Sequence, residues 1–293
     1  MMSDQTLAQS ETKREQEAKT RNLRQRILTG VIATPPVLLC AILGGWVFTV
    51  FVLLLLLIGG LEFYRLAGGR AIQGSAAVGI ATAAGVILAF TLESPRQWAA
   101  VAGIAVAGTL ASLLLGVLRH QDARRSLLQT LTLLAGVLYL GFPGGFVVEI
   151  RQQPEGLFWL LLALTGALGT DTFAYIGGRL WGRLRLAPAV SPSKTVEGAL
   201  TGGTVGFLLM LLLLWGSNHL TPATVLLAAA TPFVATLGDL LESAIKRFFK
   251  VKDSHLDGLD ILPGHGGILD RVDSSLLVVT VFYFFLLAMG IIR

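Results

Sequence analysis

The sequence predicts an all-α, polytopic integral membrane protein: a bundle of about nine transmembrane helices with its N-terminus in the cytoplasm. Three observations predict it. Of 293 residues, 54% are hydrophobic and only 14% are charged, against about 25% charged in soluble domains. Several windows of about 20 residues carry almost no charge, which is the length a helix needs to cross ~30 Å of hydrocarbon. The 23 lysines and arginines are segregated along the chain, as topology demands of membrane-flanking loops. The alternating dyads of a membrane β-barrel are absent.

Taken in order, residues 1–26 form a polar tail containing K-R-E-Q-E-A-K-T-R, which suits a surface-lying helix or a disordered arm. Its charge is wrong for a cleavable signal peptide. Nine apolar segments follow, at roughly 27–43, 45–63, 75–92, 98–118, 128–148, 157–177, 198–216, 222–241 and 275–292. The first holds Thr34-Pro35-Pro36, a kink that membrane helices tolerate. Only Gly44 parts it from the second, which predicts a tight turn there.

With the N-terminus cytoplasmic, 20 of the 23 basic residues fall on one side, and Arg96, Arg151 and Arg293 on the other. Three regions result: the tail 1–26, N-terminal transmembrane helices over 27–150, and a C-terminal transmembrane region over 151–293. The last carries two charged cytoplasmic loops, 178–197 and 242–274. Basic residues spread over loops do not describe a nucleic-acid surface. The single cysteine, Cys40, excludes a disulfide framework or a cysteine metal site within one chain. Most of the 34 glycines suit close helix packing in lipid.

Chemistry concentrates in three places. Asp171, in D-T-F-A-Y, lies near the cytoplasmic end of the sixth segment. An ionisable residue at that depth is a functional candidate by default, with pairing to Arg179 as the plain alternative. Downstream, S-P-S-K-T-V-E-G offers Ser191, Lys194 and Thr195 as phosphate-gripping groups. It lacks P-loop spacing, and equally suits a helix entry with Thr195 or Ser193 as cap and Glu197 in the first turn. Second, Asp239, Glu242, Ser243 and Lys246 stand at i, i+3, i+4 and i+7, so a helix presents them on one face, with Arg247 adjoining. Third, Lys252-Asp253 precedes P-G-H-G-G-I-L-D-R-V-D, in which Asp270 and Asp273 are i, i+3. Paired carboxylates without His or Cys partners suit Mg²⁺, a hard cation that takes oxygen ligands. Gly266 and Gly267 let backbone approach a ligand, and His265 reads as a turn residue or a hydrogen-bonder.

The stretch Ser243–Asp273, S-A-I-K-R-(4 residues)-K-D followed by L-P-G-H-G-G-I-L-D-R-V-D, resembles the signature of the phosphatidate cytidylyltransferase (CDP-diacylglycerol synthase) family. D-T-F-A-Y-x-x-G-R and S-P-S-K-T-V-E-G are similar to that family too. Over the N-terminal half the likeness rests on hydropathy and on R-I…E-F-Y-R between Arg26 and Arg65. Two departures stand out. Nine residues separate Asp253 from Pro263 where the family has about five, so Asp257 and Asp260 read as solvated. Ser193 stands where the family more often has glycine.

The resemblance implies transfer of a cytidylyl group from CTP to phosphatidate in phospholipid biosynthesis. It implies Asp239 and Asp270 as principal ligands of two Mg²⁺ ions, with Glu242 and Asp273 supporting and a monovalent cation accommodated. Lys246, Arg247, Lys252 and Arg271 would hold phosphates, and His265 would stand beside the reacting groups. Asp171, Ser191, Lys194, Thr195, Glu197, Ser243, Asp253, Gly266 and Gly267 would line the substrate site. A homodimer among membrane lipids follows from the same likeness, and a bacterial inner membrane is the expected location. Two other readings stay open: a CTP-dependent polyprenol kinase, and a cation-coupled transporter using Asp171 and Asp239.

Overall fold

The computed structural model describes residues 32, 35–92, 96–120, 122–249 and 267–292, apart from the side chains of 68–75, 120 and 270. The tail 1–26, Lys252, Asp253, Asp257, Asp260, His265 and Gly266 lie outside the described residues, as does the side chain of Asp270. The chain runs as α1 (35–43), α2 (Gly45–Ala89), α3 (Arg96–His120), α4 (Ala123–Gly136), a π-helical turn (Val137–Gly141) and α5 (Phe142–Gln152). Then come α6 (Gly156–Trp181), β1 (Arg185–Ala187), β2 (Ser191–Thr195), α7 (Val196–Gly216), α8 (Pro222–Phe248) and α9 (Leu269–Ala288).

Among the described residues, seven helices are long and apolar enough to cross a membrane. They answer to seven of the nine expected segments. The expected third span, 75–92, is represented by a shorter apolar helix, Ala76–Ala89. It belongs to the helical trace of α2, which does not run straight. A methyl on Gly60 would stand 3.0 Å from Ile80 Cγ1, whereas an unbent helix would hold positions 60 and 80 about 30 Å apart. The chain therefore reverses between them, and α2 supplies two antiparallel arms. At the predicted turn, Gly44 and Gly45 take φ of +66° and +52°, a conformation only glycine adopts freely. The guanidinium of Arg151 donates there to the carbonyls of Ala41 and Ile42, which the end of α1 leaves unpaired.

Two further differences concern the expected charged loops. Residues 185–195 form a small antiparallel hairpin, with Arg185 opposite Thr195 and Ala187 opposite Ser191, so the bundle is not wholly helical. The segment 242–274 begins and ends as helix, because α8 continues to Phe248 and α9 starts at Leu269.

α9 is the central helix, packed against α2, α5, α6 and α8. Its far end is locked by aromatic contacts: Tyr283 stacks on Phe146 at 4.1 Å between ring centroids, and Phe90 meets both edge-on. α6 and α7 approach closely along Gly198, Gly202 and Gly206, a row at i, i+4 and i+8. An alanine methyl at Gly202 would stand 2.7 Å from Ala174 Cβ. This contact sets the carboxyl end of α6 beside the amino end of α7, and the hairpin folds over both.

Candidate functional site

The last three turns of α8 and the first two of α9 meet at one end of the bundle. Gly238 makes this possible: an added methyl would stand 3.0 Å from Ser274 Cα and 3.2 Å from the Asp273 carbonyl. The helices are therefore in backbone contact, and the side chains that follow Gly238 on α8 face those that begin α9. Carboxylate oxygens of Asp239, Glu242 and Asp273 all lie within 4.8 Å of one another. The donor set is all oxygen, as Mg²⁺ prefers. Metal–oxygen bonds of about 2.1 Å put opposite ligands of one ion about 4.2 Å apart, so a cluster within 4.8 Å needs at most a few tenths of an ångström of closure to hold such an ion. Glu242 is 2% exposed and Asp273 is 9% exposed. Three carboxylates this close, two of them buried, repel one another unless cations answer them.

Lysines supply part of the answer. Lys246 Nζ lies 2.6 Å from Glu242 Oε2, one turn away on α8. Lys194, from β2, pairs with Asp239. Asp171 of α6 accepts a 2.6 Å hydrogen bond from Ser274 Oγ on α9, and Arg179 reaches the Tyr175 hydroxyl. Asp171 thus ties α6 to the α9 turn that bears Asp273, and the expected alternative pairing with Arg179 gives way to this contact. Beside the cluster opens a cavity of about 400 Å³, walled by Asp171, Tyr175, Arg179, Ser193, Lys194, Thr195 and Asp239 among others. That volume falls in the range of small-molecule sites.

The remaining expected residues divide. Ser191 and Thr195 are buried at the ends of β2. Thr195 caps α7, its Oγ1 accepting from Gly198 N–H at 3.2 Å. Glu197 accepts from the N–H groups of Arg183 and Leu184, so it anchors the approach to the hairpin. Arg247 donates to the Val190 carbonyl at 3.3 Å, fastening α8 to the hairpin turn. Ser243 is half-buried on α8, and Gly267 is buried just before α9. Arg271 lines a second cavity of about 260 Å³, almost wholly apolar, between α9 and the arms of α2. It therefore lies apart from the polar cavity that holds Lys194 and Asp239.

Sequence reasoning missed Ser274 and Glu62. Ser274 adjoins Asp273 in D-S-S and had no distinguishing neighbour pattern. Glu62 lies in α2, 3% exposed, and accepts backbone N–H groups at the start of α9. Two signals were available: a glutamate inside an apolar segment, and its place at the head of the E-F-Y-R pattern noted above.

The cap of α7 yields a simple expectation. Thr195→Ala should cost about 1 kcal/mol, seen as a lower midpoint in thermal unfolding in detergent. Thr195→Ser, which keeps the hydroxyl, should recover most of it.

Residues 24–289 match the cytidylyltransferase family. The chain is 32% identical over 258 residues to a phosphatidate cytidylyltransferase of Staphylococcus aureus (strain COL), covering 87% of this chain and 96% of that protein. It is 34% identical over 259 residues to the enzyme so named in Staphylococcus saprophyticus, with the same coverage. It is 32% identical over 269 residues to that of Staphylococcus haemolyticus, covering 91% of this chain and all of the relative.

Proposed function

This chain belongs to the cytidylyltransferase family, and from that premise we propose that it is a membrane enzyme making CDP-diacylglycerol and pyrophosphate from CTP and phosphatidate. The observation that carries the reading is the convergence of Asp239, Glu242 and Asp273 with Lys194 and Lys246, beside the 400 Å³ cavity at one end of the bundle. Phosphatidate is both lipid and phosphate. A site at the end of membrane helices lets its acyl chains stay in the bilayer while its headgroup reaches polar side chains.

In the reaction, a phosphate oxygen of phosphatidate attacks the α-phosphorus of CTP. The new P–O bond forms as the bond from that phosphorus to the β-phosphate bridging oxygen breaks, and its electron pair leaves with pyrophosphate. A phosphate monoester is already nucleophilic near neutral pH, so no dedicated base is required of His265. What the protein must do is hold two anions in line and oppose the charge that builds on the leaving group. Lys194 and Lys246, already drawn to the carboxylates, are placed to bind phosphate oxygens. Asp171, held by Ser274, borders the cavity. Magnesium ions held by Asp239, Glu242 and Asp273, together with Asp270, would neutralise phosphate charge and align the displacement. Lys252 and Arg271 are assigned to phosphate binding, and Asp253 and Gly266 to the substrate site, on the family likeness alone, as are the monovalent cation and a homodimer.

We further infer nine crossings, with the N-terminus and the site cytoplasmic and the protein in a bacterial inner membrane. The steep segregation of basic residues supports the orientation, and it puts the site where CTP is.

The test is product identity. Purified protein given CTP, phosphatidate and Mg²⁺ should release pyrophosphate in step with phosphatidate consumed, and no CDP. Release of CDP when a polyprenol replaces phosphatidate, with phosphate added to its hydroxyl, would establish the kinase reading instead.

A further inference from the structure

A helix start leaves backbone N–H groups without partners, and a Ser, Thr, Asp or Asn at the capping position usually supplies an acceptor. α9 has no such residue: its capping position is Ile268, in the run G-G-I-L. The acceptor comes instead from 206 residues earlier. Glu62 of α2 accepts the Ile268 N–H through Oε1 at 3.0 Å and the Leu269 N–H through Oε2 at 2.8 Å. Both carboxylate oxygens are engaged, and the side chain is 3% exposed. Its flanks are fixed as well. Phe63 and Tyr64 are each 4% exposed, and the Tyr64 hydroxyl reaches the Leu133 carbonyl at 3.3 Å.

A carboxylate in an apolar helix is expensive to keep, and this one is spent on the helix that carries Asp270, Arg271, Asp273 and Ser274 in its first two turns. Two hydrogen bonds from one rigid group fix both the axial position of a helix and its rotation. The rotation matters most. A slip of one residue turns a helix by about 100° and moves it 1.5 Å, which would carry Asp273 out of the cluster it makes with Asp239 and Glu242.

We propose that Glu62 is a positioning residue for the cytidylyl transfer: an interhelical cap that sets the register of α9 and so assembles the carboxylate cluster. The proposal rests on the reaction assigned above only for its kinetic consequence; the assembly of the cluster stands apart from it.

Glu62→Gln is the test, because glutamine keeps the size but presents an NH₂ where one of the two acceptors stood. Mn²⁺ binding to the purified protein, followed by electron paramagnetic resonance, should weaken about 10- to 100-fold, the range for groups that orient metal ligands. The turnover number should fall by a similar factor with the KM for CTP little changed. Amide exchange over 267–273, followed by mass spectrometry, should quicken while exchange in α6 and α7 stays as in wild type. Glu149→Gln is the control. Glu149 is a buried carboxylate in α5, bonded to Gln97 of α3, and its loss should lower thermal stability without moving Mn²⁺ affinity. Should Glu62→Gln fail to fold, Glu62→Asp replaces it; shorter by one methylene, it should show the same changes in smaller measure. Wild-type Mn²⁺ affinity and wild-type exchange in a folded Glu62 variant would overturn the proposal. So would an affinity loss that Glu149→Gln reproduces. A wild-type protein that binds Mn²⁺ tightly yet releases no pyrophosphate would instead refute the assigned reaction and leave the Glu62 comparison intact.

Discussion

Gly238→Ala should lower activity by about 100-fold, the cost of misplacing reacting groups by as little as 1 Å. The new methyl would stand 3.0 Å from Ser274 Cα, 3.2 Å from the Asp273 carbonyl and 3.3 Å from Leu277 Cβ. Two of these are backbone atoms, so no side chain can rotate out of the way and α9 itself must move. Overpacking of this kind costs about 1–3 kcal/mol, so the protein should still fold. The damage falls on catalysis because the residue after Gly238 is Asp239 and the residue displaced is Asp273. Gly203→Ala serves as the comparison. There the methyl would meet only Pro232 Cβ at 3.7 Å, an ordinary contact, and activity should stay near wild type. Steady-state kinetics of the two variants side by side decide the matter. Equal activity in both would mean that the α8–α9 contact does not govern the site.

Lys246→Met should destabilise the protein by about 3 kcal/mol, because it removes the cation paired with a buried carboxylate. Glu242 is 2% exposed and its Oε2 lies 2.6 Å from the ammonium group of Lys246. Methionine fills the space and removes the cation. The loss should be largest in EDTA and shrink with added Mg²⁺, since a cation bound to Glu242 would replace the missing charge and binding to the folded state stabilises it. Thermal unfolding in detergent, with and without Mg²⁺, reads both effects. The double variant Lys246→Met/Glu242→Gln, lacking both charges, should regain much of the stability. If Lys246→Met unfolds at the wild-type temperature in EDTA, the pair carries no structural weight.

The sequence made some of this architecture legible and hid the rest for physical reasons. Spans are visible because hydrocarbon imposes a length and excludes charge. The polar stripe from Asp239 to Lys246 is visible because helical period puts i, i+3, i+4 and i+7 on one face, and α8 does extend through all four. The expected capping of α7 by Thr195 is a local event, and the structure has it. The hairpin 185–195 was hidden because two very short strands, R-L-A and S-P-S-K-T, carry no alternating pattern. Packing over α6 and α7 makes them strands. Glu197 lies in the phosphate-like motif, yet its carboxylate is committed to the backbone of residues 183 and 184, and spacing alone does not tell a ligand from a brace. The reversal inside α2 brings residue 60 against residue 80, and the cap on α9 joins residue 62 to 268 and 269. Contacts that distant leave no trace in local periodicity.

The most direct measurement follows the α-phosphate of CTP. Purified wild type and Asp239→Asn are incubated with phosphatidate and α-labelled CTP while Mg²⁺ is titrated. In wild type, label should enter lipid only with Mg²⁺ present. In Asp239→Asn, which weakens the cluster and unpairs Lys194, the rate should fall by about 100-fold or more. Label reaching lipid equally well in the variant would remove the carboxylate cluster from the chemistry. No α-label in lipid at any Mg²⁺ concentration, with label entering lipid instead when the CTP is labelled at its γ-phosphate, would contradict cytidylyl transfer altogether.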